Sequence, residues 1–162
     1  MGRAAGPLSV YQTCHRRFQQ WVRVSLLRSI LEVLAQALHA NEAFIDGSFA
    51  PAKQGGARVG KTKRGKGSKI TAIADRQGLT VAVHVESATP HEVTLVHATL
   101  AQRFVNQLPV RLIGDNAYES DRLDAELARR GVELIAPHYE RLAENFLGML
   151  QLASCLILLR GL

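Results

Sequence analysis

Apolar and polar residues recur with two different periods along the chain, and each period predicts a different element. In residues 11–40, leucine and isoleucine return every three or four positions, which predicts an amphipathic helix. From residue 43 onwards the pattern changes to apolar runs at residues 43–49, 69–75 and 79–86. In the third run, apolar and more polar residues alternate, as is typical of a half-buried strand. The sequence therefore predicts one helical segment followed by three strands.

The second half of the chain changes repeatedly between helical and strand-like patterns. Residues 89–92 (TPHE) have the form of a capping box with proline at the first helical position, which predicts the start of a helix. Strands are predicted at residues 110–115 and 132–136, and helices at residues 120–130 and 140–159. A strand meander followed by alternating helices and strands predicts an α/β fold with a mixed sheet flanked by helices.

Composition bears on folding and on the compartment in which the chain works. Of its 162 residues, 47% are apolar, which is enough for a buried core. The apolar run at residues 146–159 is shorter than the roughly 20 residues that span a bilayer, so we expect a core helix and no membrane partner. The two cysteines, Cys14 and Cys155, lack the spacing of a metal site, which favours a reduced, cytoplasmic protein.

The formal net charge of +6 comes from a single stretch of the chain. Residues 53–69 contain seven basic and no acidic residues, whereas the remainder has 13 basic and 14 acidic ones. This stretch is also rich in glycine and has no apolar period, which predicts a loop. A basic loop suits DNA, because each neutralised phosphate releases condensed counterions, but a merely solvated loop would have the same composition. The candidate DNA-binding residues are Lys53, Arg58, Lys61, Lys63, Arg64, Lys66 and Lys69.

Two acidic residues interrupt or end otherwise apolar strands. Asp46 stands in FIDGS, and Asp115 in LIGDNAY. A carboxylate in a buried strand is costly unless it is paired or binds a cation. If the two strands are neighbours, both carboxylates can bind Mg²⁺ or Mn²⁺, and two such ions about 4 Å apart can promote phosphoryl transfer. The alternative is that both acids only form turns, which Asp-Gly and Asp-Asn pairs favour.

Residues 55–62 (GGARVGKT) match the P-loop pattern GxxxxGK[ST] letter for letter. A P-loop binds phosphate only if a strand enters the loop and a helix leaves it, so that backbone amides and the helix dipole surround the phosphates. The residues after Thr62 predict a strand and no helix. Nucleotide binding therefore remains a minor alternative, which a helix beginning at Thr62 would support.

Several stretches, taken in order, resemble bacterial insertion-sequence transposases of the DDE type. These are FIDGSFAPA, the basic glycine-rich stretch, KITAIADRQGLTVAVHV, RLIGDNAYESDRLDAELARRGVELIAPH and, similar to the family's C-terminal helix, AENFLGMLQLASCLILLR. The resemblance implies a ribonuclease H-like fold with Asp46 and Asp115 as the first two catalytic acids and as ligands of Mg²⁺ or Mn²⁺, two ions in an intact relative. It also implies DNA cleavage and strand transfer, with insertion-sequence terminal inverted repeats as the partner and the nucleoid as the location.

The sequence departs from this family before its last predicted helix. Relatives continue through a long basic segment to a third catalytic acid, a glutamate, whereas here His138 is followed directly by YERLAENF, which fits the family's later tail. An internal deletion would remove the third acid, and the opposite alignment would make Glu140 that acid. We therefore expect a short N-terminal helical segment at residues 1–40 and a ribonuclease H-like core at residues 41–162 that lacks the segment before the last helix. The expected function is impaired transposition, and the alternative is an inactive DNA-binding or dimerising remnant, with a homodimer as a further partner.

Overall fold

The N-terminal part of the chain forms two helices rather than one. The computed structural model describes residues 10–38, 40–63 and 65–136, together with seven isolated positions between residues 144 and 155. Helix α1 (Val10–Arg23) and helix α2 (Leu26–Leu34) are separated at Ser25, whose φ of 55° lies in the left-handed region. A right-handed helix cannot continue through that conformation, so the single helix predicted for residues 11–40 was wrong at this point. A short 3-10 helix, Ala35–Ala37, follows α2.

Most apolar side chains of these two helices remain outside the core. Trp21, Ile30 and Leu34 are exposed, whereas Ala35 in the short 3-10 helix is buried and belongs to the core cluster. The amphipathic pattern of the sequence therefore predicts a helix correctly but does not predict that its apolar side is covered.

The central feature is a six-stranded sheet. The sequence predicts that the sheet is mixed and predicts five of its strands. Its strands are β1 (Glu42–Pro51), β2 (Gly60–Thr62), β3 (Gly65–Asp75), β4 (Thr80–Ser87), β5 (Arg111–Ile113) and β6 (Glu133–Ile135). Strand β3 pairs antiparallel with β1 on one side and with both β2 and β4 on the other. Beyond β1 the sheet continues with β5 and β6, both parallel to their neighbours.

Helix α3 (Glu92–Ala101) connects β4 to β5, and helix α4 (Asp121–Ala128) connects the parallel neighbours β5 and β6. Both helices help to form the core. Their buried residues, including Val96, Leu100 and Leu127, join Ile73 and Leu112 of the sheet in one cluster. Burying a side chain of this size removes enough apolar surface from water to stabilise the fold by about 1.5–3 kcal/mol. The side chains on this face of the sheet are therefore fixed by packing.

Two local predictions need correction. The stretch at residues 53–69 is not one loop, because Gly60–Thr62 pairs antiparallel with the start of β3 and forms a hairpin. The capping box at residues 89–92 does not form either: α3 begins at Glu92, with His91 as an N-cap that makes no side-chain capping bond. The Glu92 carboxylate is bound by Lys69 instead of returning to the backbone of Thr89.

Within the part of the chain that the structure describes, no helix has the length and apolar character needed to cross a bilayer. The helix predicted at residues 140–159 lies outside the described residues, apart from isolated helical positions such as Leu147 and Leu152, which are exposed.

Candidate functional site

Asp46 lies in the middle of β1, on the side of the strand that faces solvent. Along β1, Ala43 and Ile45 are buried while Phe44 and Asp46 are exposed, because alternate residues of a strand point to opposite faces. One oxygen of the Asp46 carboxylate, Oδ1, accepts a hydrogen bond from the backbone N–H of Gly47 at 2.7 Å.

Asp115 lies just beyond the end of β5, where the chain turns into a short 3-10 helix, Asn116–Tyr118. Its side chain caps this helix, because Oδ1 accepts a hydrogen bond from the backbone N–H of Ala117 at 3.0 Å. Asp115 is exposed. The turn-forming role that Asp-Asn pairs favour is therefore present in the structure, and it leaves the second carboxylate oxygen, Oδ2, for another ligand.

The two aspartates occupy equivalent positions on neighbouring parallel strands. Phe44 pairs with Ile113 in the last pair of the β1–β5 ladder. Asp46 lies two residues further along β1, and Asp115 lies two residues after Ile113, just beyond the end of β5. Neighbouring strands are about 4.8 Å apart, so the two positions are close together where the β1–β5 pairing ends. The predicted adjacency of the two parallel strands is confirmed. The argument from burial was wrong, because both aspartates are exposed.

Tyr118 packs against Gly47 and Gly114, the glycines next to the two aspartates. The residue is 1% exposed, and its hydroxyl has no hydrogen-bond partner within the described part of the chain. Burial, and then the charges of Asp115, Asp46 and Glu92, raise the pKa of the Tyr118 phenol above its usual value. Three carboxylates from three different elements therefore act on this one hydroxyl group.

Two glycines lie against Tyr118, and one of them, Gly114, makes room for its ring. A Cβ placed on Gly114 would lie 2.7 Å from the Tyr118 ring, so a side chain there would displace the ring. A Cβ on Gly47 would lie 3.4 Å from the Tyr118 hydroxyl and 3.7 Å from Cγ of Glu92. Both Tyr118 and Glu92 thus approach the β1 backbone directly beside Asp46.

Glu92 is a residue of this region that sequence reasoning did not select, beyond its assignment to the capping box. Its carboxylate forms an ion pair with Lys69 at 2.8 Å, and the Lys69 ammonium also donates a hydrogen bond to the carbonyl of Pro90 at 2.7 Å. The Lys69 ammonium lowers the pKa of Glu92, although burial acts in the opposite direction and is the largest single influence. Because Lys69 and Glu92 are 23 positions apart, no local sequence pattern identifies the pair.

The basic hairpin, which we define as residues 53–69, divides into two groups of cations. Lys53, Lys61, Lys63 and Lys66 are exposed, whereas Arg64 lies outside the described residues. Two further basic side chains of the hairpin form ion pairs with carboxylates of the protein itself. Lys69 is held by Glu92, and Arg58 forms an ion pair with Glu86 at 3.7 Å and a hydrogen bond with the carbonyl of Val85. The structure therefore leaves four lysines of the described hairpin directed to solvent.

The P-loop alternative is excluded by the hairpin. Gly60–Thr62 is strand β2, and strand β3 begins at Gly65, so no helix follows the GKT sequence. Without a helix N-terminus, the glycine-rich stretch lacks the ring of backbone amides that holds phosphate in a P-loop.

The donor set at Asp46 and Asp115 suits a hard divalent cation. Two exposed carboxylates offer the oxygen ligands that Mg²⁺ and Mn²⁺ prefer. Among the described residues, no group of three or more histidine, cysteine, aspartate or glutamate side chains is arranged to hold a metal ion. Glu140, the alternative third acid, lies outside the described residues.

The six-stranded mixed sheet and its flanking helices have the architecture of a ribonuclease H-like α/β domain. In agreement, the family model described as the transposase DDE domain matches residues 39–149, well over half of the chain. This protein therefore belongs to the transposase DDE domain family, whose members act on DNA. The match includes both Asp46 and Asp115. A comparison with curated proteins finds no match.

Proposed function

We propose that this chain binds the terminal inverted repeats of an insertion sequence and acts on them by metal-assisted phosphoryl transfer. Asp46 and Asp115 would be the cation ligands, and Mg²⁺ or Mn²⁺ the cofactor. The observation that carries the proposal is that each aspartate follows, by two residues, the last cross-strand pair of the neighbouring parallel strands β1 and β5. Membership of the DDE family supports the same assignment.

The hydrogen bonds of the two aspartates prepare them for this role. Each carboxylate accepts a backbone N–H with Oδ1, from Gly47 in one case and Ala117 in the other, which restricts its rotation and leaves Oδ2 for a cation. When bound, a divalent cation polarises a phosphodiester oxygen and eases deprotonation of the attacking hydroxyl. The exposed lysines of the basic hairpin would hold the phosphate backbone, and so keep the DNA in register with the two aspartates.

We further propose that this copy cleaves DNA poorly. Two aspartates can hold one cation, but positioning a second normally requires a further ligand, and the described residues contain no ready-made group of three. A misplacement of about 1 Å at a reacting group can already lower the rate by about 10²-fold. An internal deletion before the last helix would account for the missing acid.

The test is a strand-cleavage assay with Mn²⁺ on labelled duplexes that carry the element's own ends. Mn²⁺ binding should be lost in Asp46→Asn and in Asp115→Asn, and unchanged Mn²⁺ binding in both variants would refute the assignment of the cation site. Cleavage by the unaltered chain should be weak. The Glu140→Gln variant should cleave as weakly as the parent, with Glu144→Gln as the matched control.

Strong cleavage that disappears in Glu140→Gln alone would show that the chain is a compact, working enzyme with Glu140 as the third acid. The second candidate function is an inactive DNA-binding remnant, which the exposed lysines favour because they can bind DNA without any cation. DNA binding that is retained in Asp46→Asn, together with no cleavage and no Mn²⁺ binding by the parent, would support that function instead.

A further inference from the structure

The ion pair between Lys69 and Glu92 differs from the other ion pair of the hairpin region. The Lys69 side chain is only 12% exposed and makes contacts of 2.8 Å and 2.7 Å, whereas the Arg58 side chain in the Arg58–Glu86 pair is 57% exposed and lies 3.7 Å from its partner. A lysine ammonium that is this well shielded from water needs a carboxylate partner in a fixed position. Glu92, the first residue of α3, provides that partner.

Two buried hydroxyl groups that have no partner among the described residues belong to neighbours of Gly47. The Tyr118 hydroxyl is 3.4 Å from the position that a Gly47 Cβ would occupy, and Thr71 is paired with Gly47 across the β1–β3 ladder. Both residues are at most 1% exposed, and neither hydroxyl forms a hydrogen bond within the described part of the chain. Folded proteins rarely leave buried hydroxyl groups unpaired, so such groups mark a place where water or a ligand belongs.

The same glycine is next to Asp46 and in contact with Glu92. A Cβ on Gly47 would lie 3.7 Å from Cγ of Glu92, and the Tyr118 hydroxyl senses the charges of Asp46, Asp115 and Glu92 together. Glu92 therefore contacts the residue that follows Asp46, and its charge and those of the two aspartates act on the same hydroxyl group. Among the described residues, the three acids do not form a group of three ligands. An acid in this position can influence a bound cation through its charge without being one of the direct ligands of that cation.

We propose that Glu92, held in place by Lys69, is a positioning residue that strengthens divalent-cation binding at Asp46 and Asp115 by its charge and through water bound near Gly47 and Tyr118. This inference rests on the proposed cation site. A purely structural ion pair accounts for the contact with Lys69, but it does not account for the unpaired hydroxyls beside Gly47. Partners outside the direct ligand set of a metal change its affinity by about 10- to 100-fold when they are removed.

The experiment measures the dissociation constant of Mn²⁺, by electron paramagnetic resonance of the free ion, for the full chain at fixed ionic strength. Glu92→Gln keeps the shape of the side chain and removes its charge. Glu86→Gln is the matched control, because Glu86 is also ion-paired and is 34% exposed, compared with 32% for Glu92. We expect Mn²⁺ binding to weaken by about 10-fold or more in Glu92→Gln, and to remain unchanged in Glu86→Gln. Circular dichroism establishes that each variant is folded.

A double variant, Lys69→Met with Glu92→Gln, separates a local effect from an effect of net charge. It has the same formal charge as the parent, and it remains informative if Glu92→Gln alone fails to fold because Lys69 is left unpaired. We expect the double variant also to bind Mn²⁺ about 10-fold more weakly. Parent-like affinity in the double variant, or equal weakening in Glu92→Gln and Glu86→Gln, would overturn the proposal. If Asp46→Asn and Asp115→Asn leave Mn²⁺ binding unchanged, the cation site itself is wrong, which is a separate result.

Discussion

The salt dependence of DNA affinity should reveal how many cationic side chains of the basic hairpin contact phosphate groups. The sequence offers seven, but Arg58 and Lys69 are engaged by Glu86 and Glu92. Four lysines of the hairpin are exposed in the described residues. At about −0.9 per phosphate contact, four contacts give a slope of log K against log salt of about −3.6, or about −4.5 if Arg64 adds a fifth. All seven would give about −6.3.

These slopes are readily distinguished in an ordinary binding experiment. Between 50 and 200 mM salt, affinity should fall by about 150- to 500-fold for four or five contacts, and by about 6,000-fold for seven. The assay is fluorescence anisotropy of a labelled duplex of about 30 base pairs at several salt concentrations. Replacing Lys61, Lys63 and Lys66 with glutamine should reduce the magnitude of the slope by about 2.7. Arg76→Gln is the control, since this exposed arginine follows the opposite end of β3.

Two results would refute this reasoning. A slope near −6.3 for the parent would mean that Arg58 and Lys69 leave their carboxylate partners when DNA binds. An unchanged slope in the triple variant would mean that the hairpin is only a solvated segment and that DNA is bound elsewhere.

Three further outcomes follow from the contacts described above. Gly114→Ala should lower the free energy of unfolding by about 1–3 kcal/mol in urea denaturation, because its Cβ would meet the Tyr118 ring, whereas Gly55→Ala, with nothing within 4 Å, should have little effect. Tyr118→Phe should leave the cation-free chain as stable as the parent, or about 1 kcal/mol more stable, because it removes an unpaired buried hydroxyl; a clear loss of stability would contradict this. The pKa of the Glu126 carboxyl is lowered from 4.5, mainly by a hydrogen bond from Arg122. The charged Glu126 side chain therefore stabilises the fold above about pH 4.5, and this stabilisation is lost as the pH falls through the lowered pKa. The melting temperatures of the parent and Glu126→Gln should therefore differ at pH 7 and converge in acid.

The strands and the crossover helices could be predicted because their signals are local. In the sequence of strand β4 apolar and more polar residues alternate, α4 is preceded by the capping residue Ser120, and Gly131 follows α4 with a positive φ of 75°. The helical break at Ser25 has no such signal, because neither glycine nor proline marks it and the apolar spacing continues through it. Strand β2 was missed because three residues of glycine, lysine and threonine form a strand only by pairing with β3.

The candidate site could be predicted only in part, for a similar reason. The two aspartates were found because each interrupts an apolar strand, but their exposure depends on which face the flanking helices cover. Glu92 and Lys69 meet through tertiary structure alone, and Glu92 had been assigned to a local capping bond. Tyr118 carries no sequence signal for a buried, unpaired hydroxyl, because that property belongs to its surroundings.

The close packing of Gly60 brings the basic hairpin into contact with the segment that leads to Glu92. A Cβ on this residue would lie 2.3 Å from the Thr89 hydroxyl oxygen, so the hairpin backbone rests against the segment that precedes α3. The next residue of that segment, Pro90, holds the Lys69 ammonium through its carbonyl. If the hairpin binds DNA as we propose, a displacement of the hairpin would reach Glu92 through the three residues that follow Thr89. If DNA binding shifts this segment and changes cation affinity, the cation must change DNA affinity by the same factor, so the two sites would act as one coupled unit.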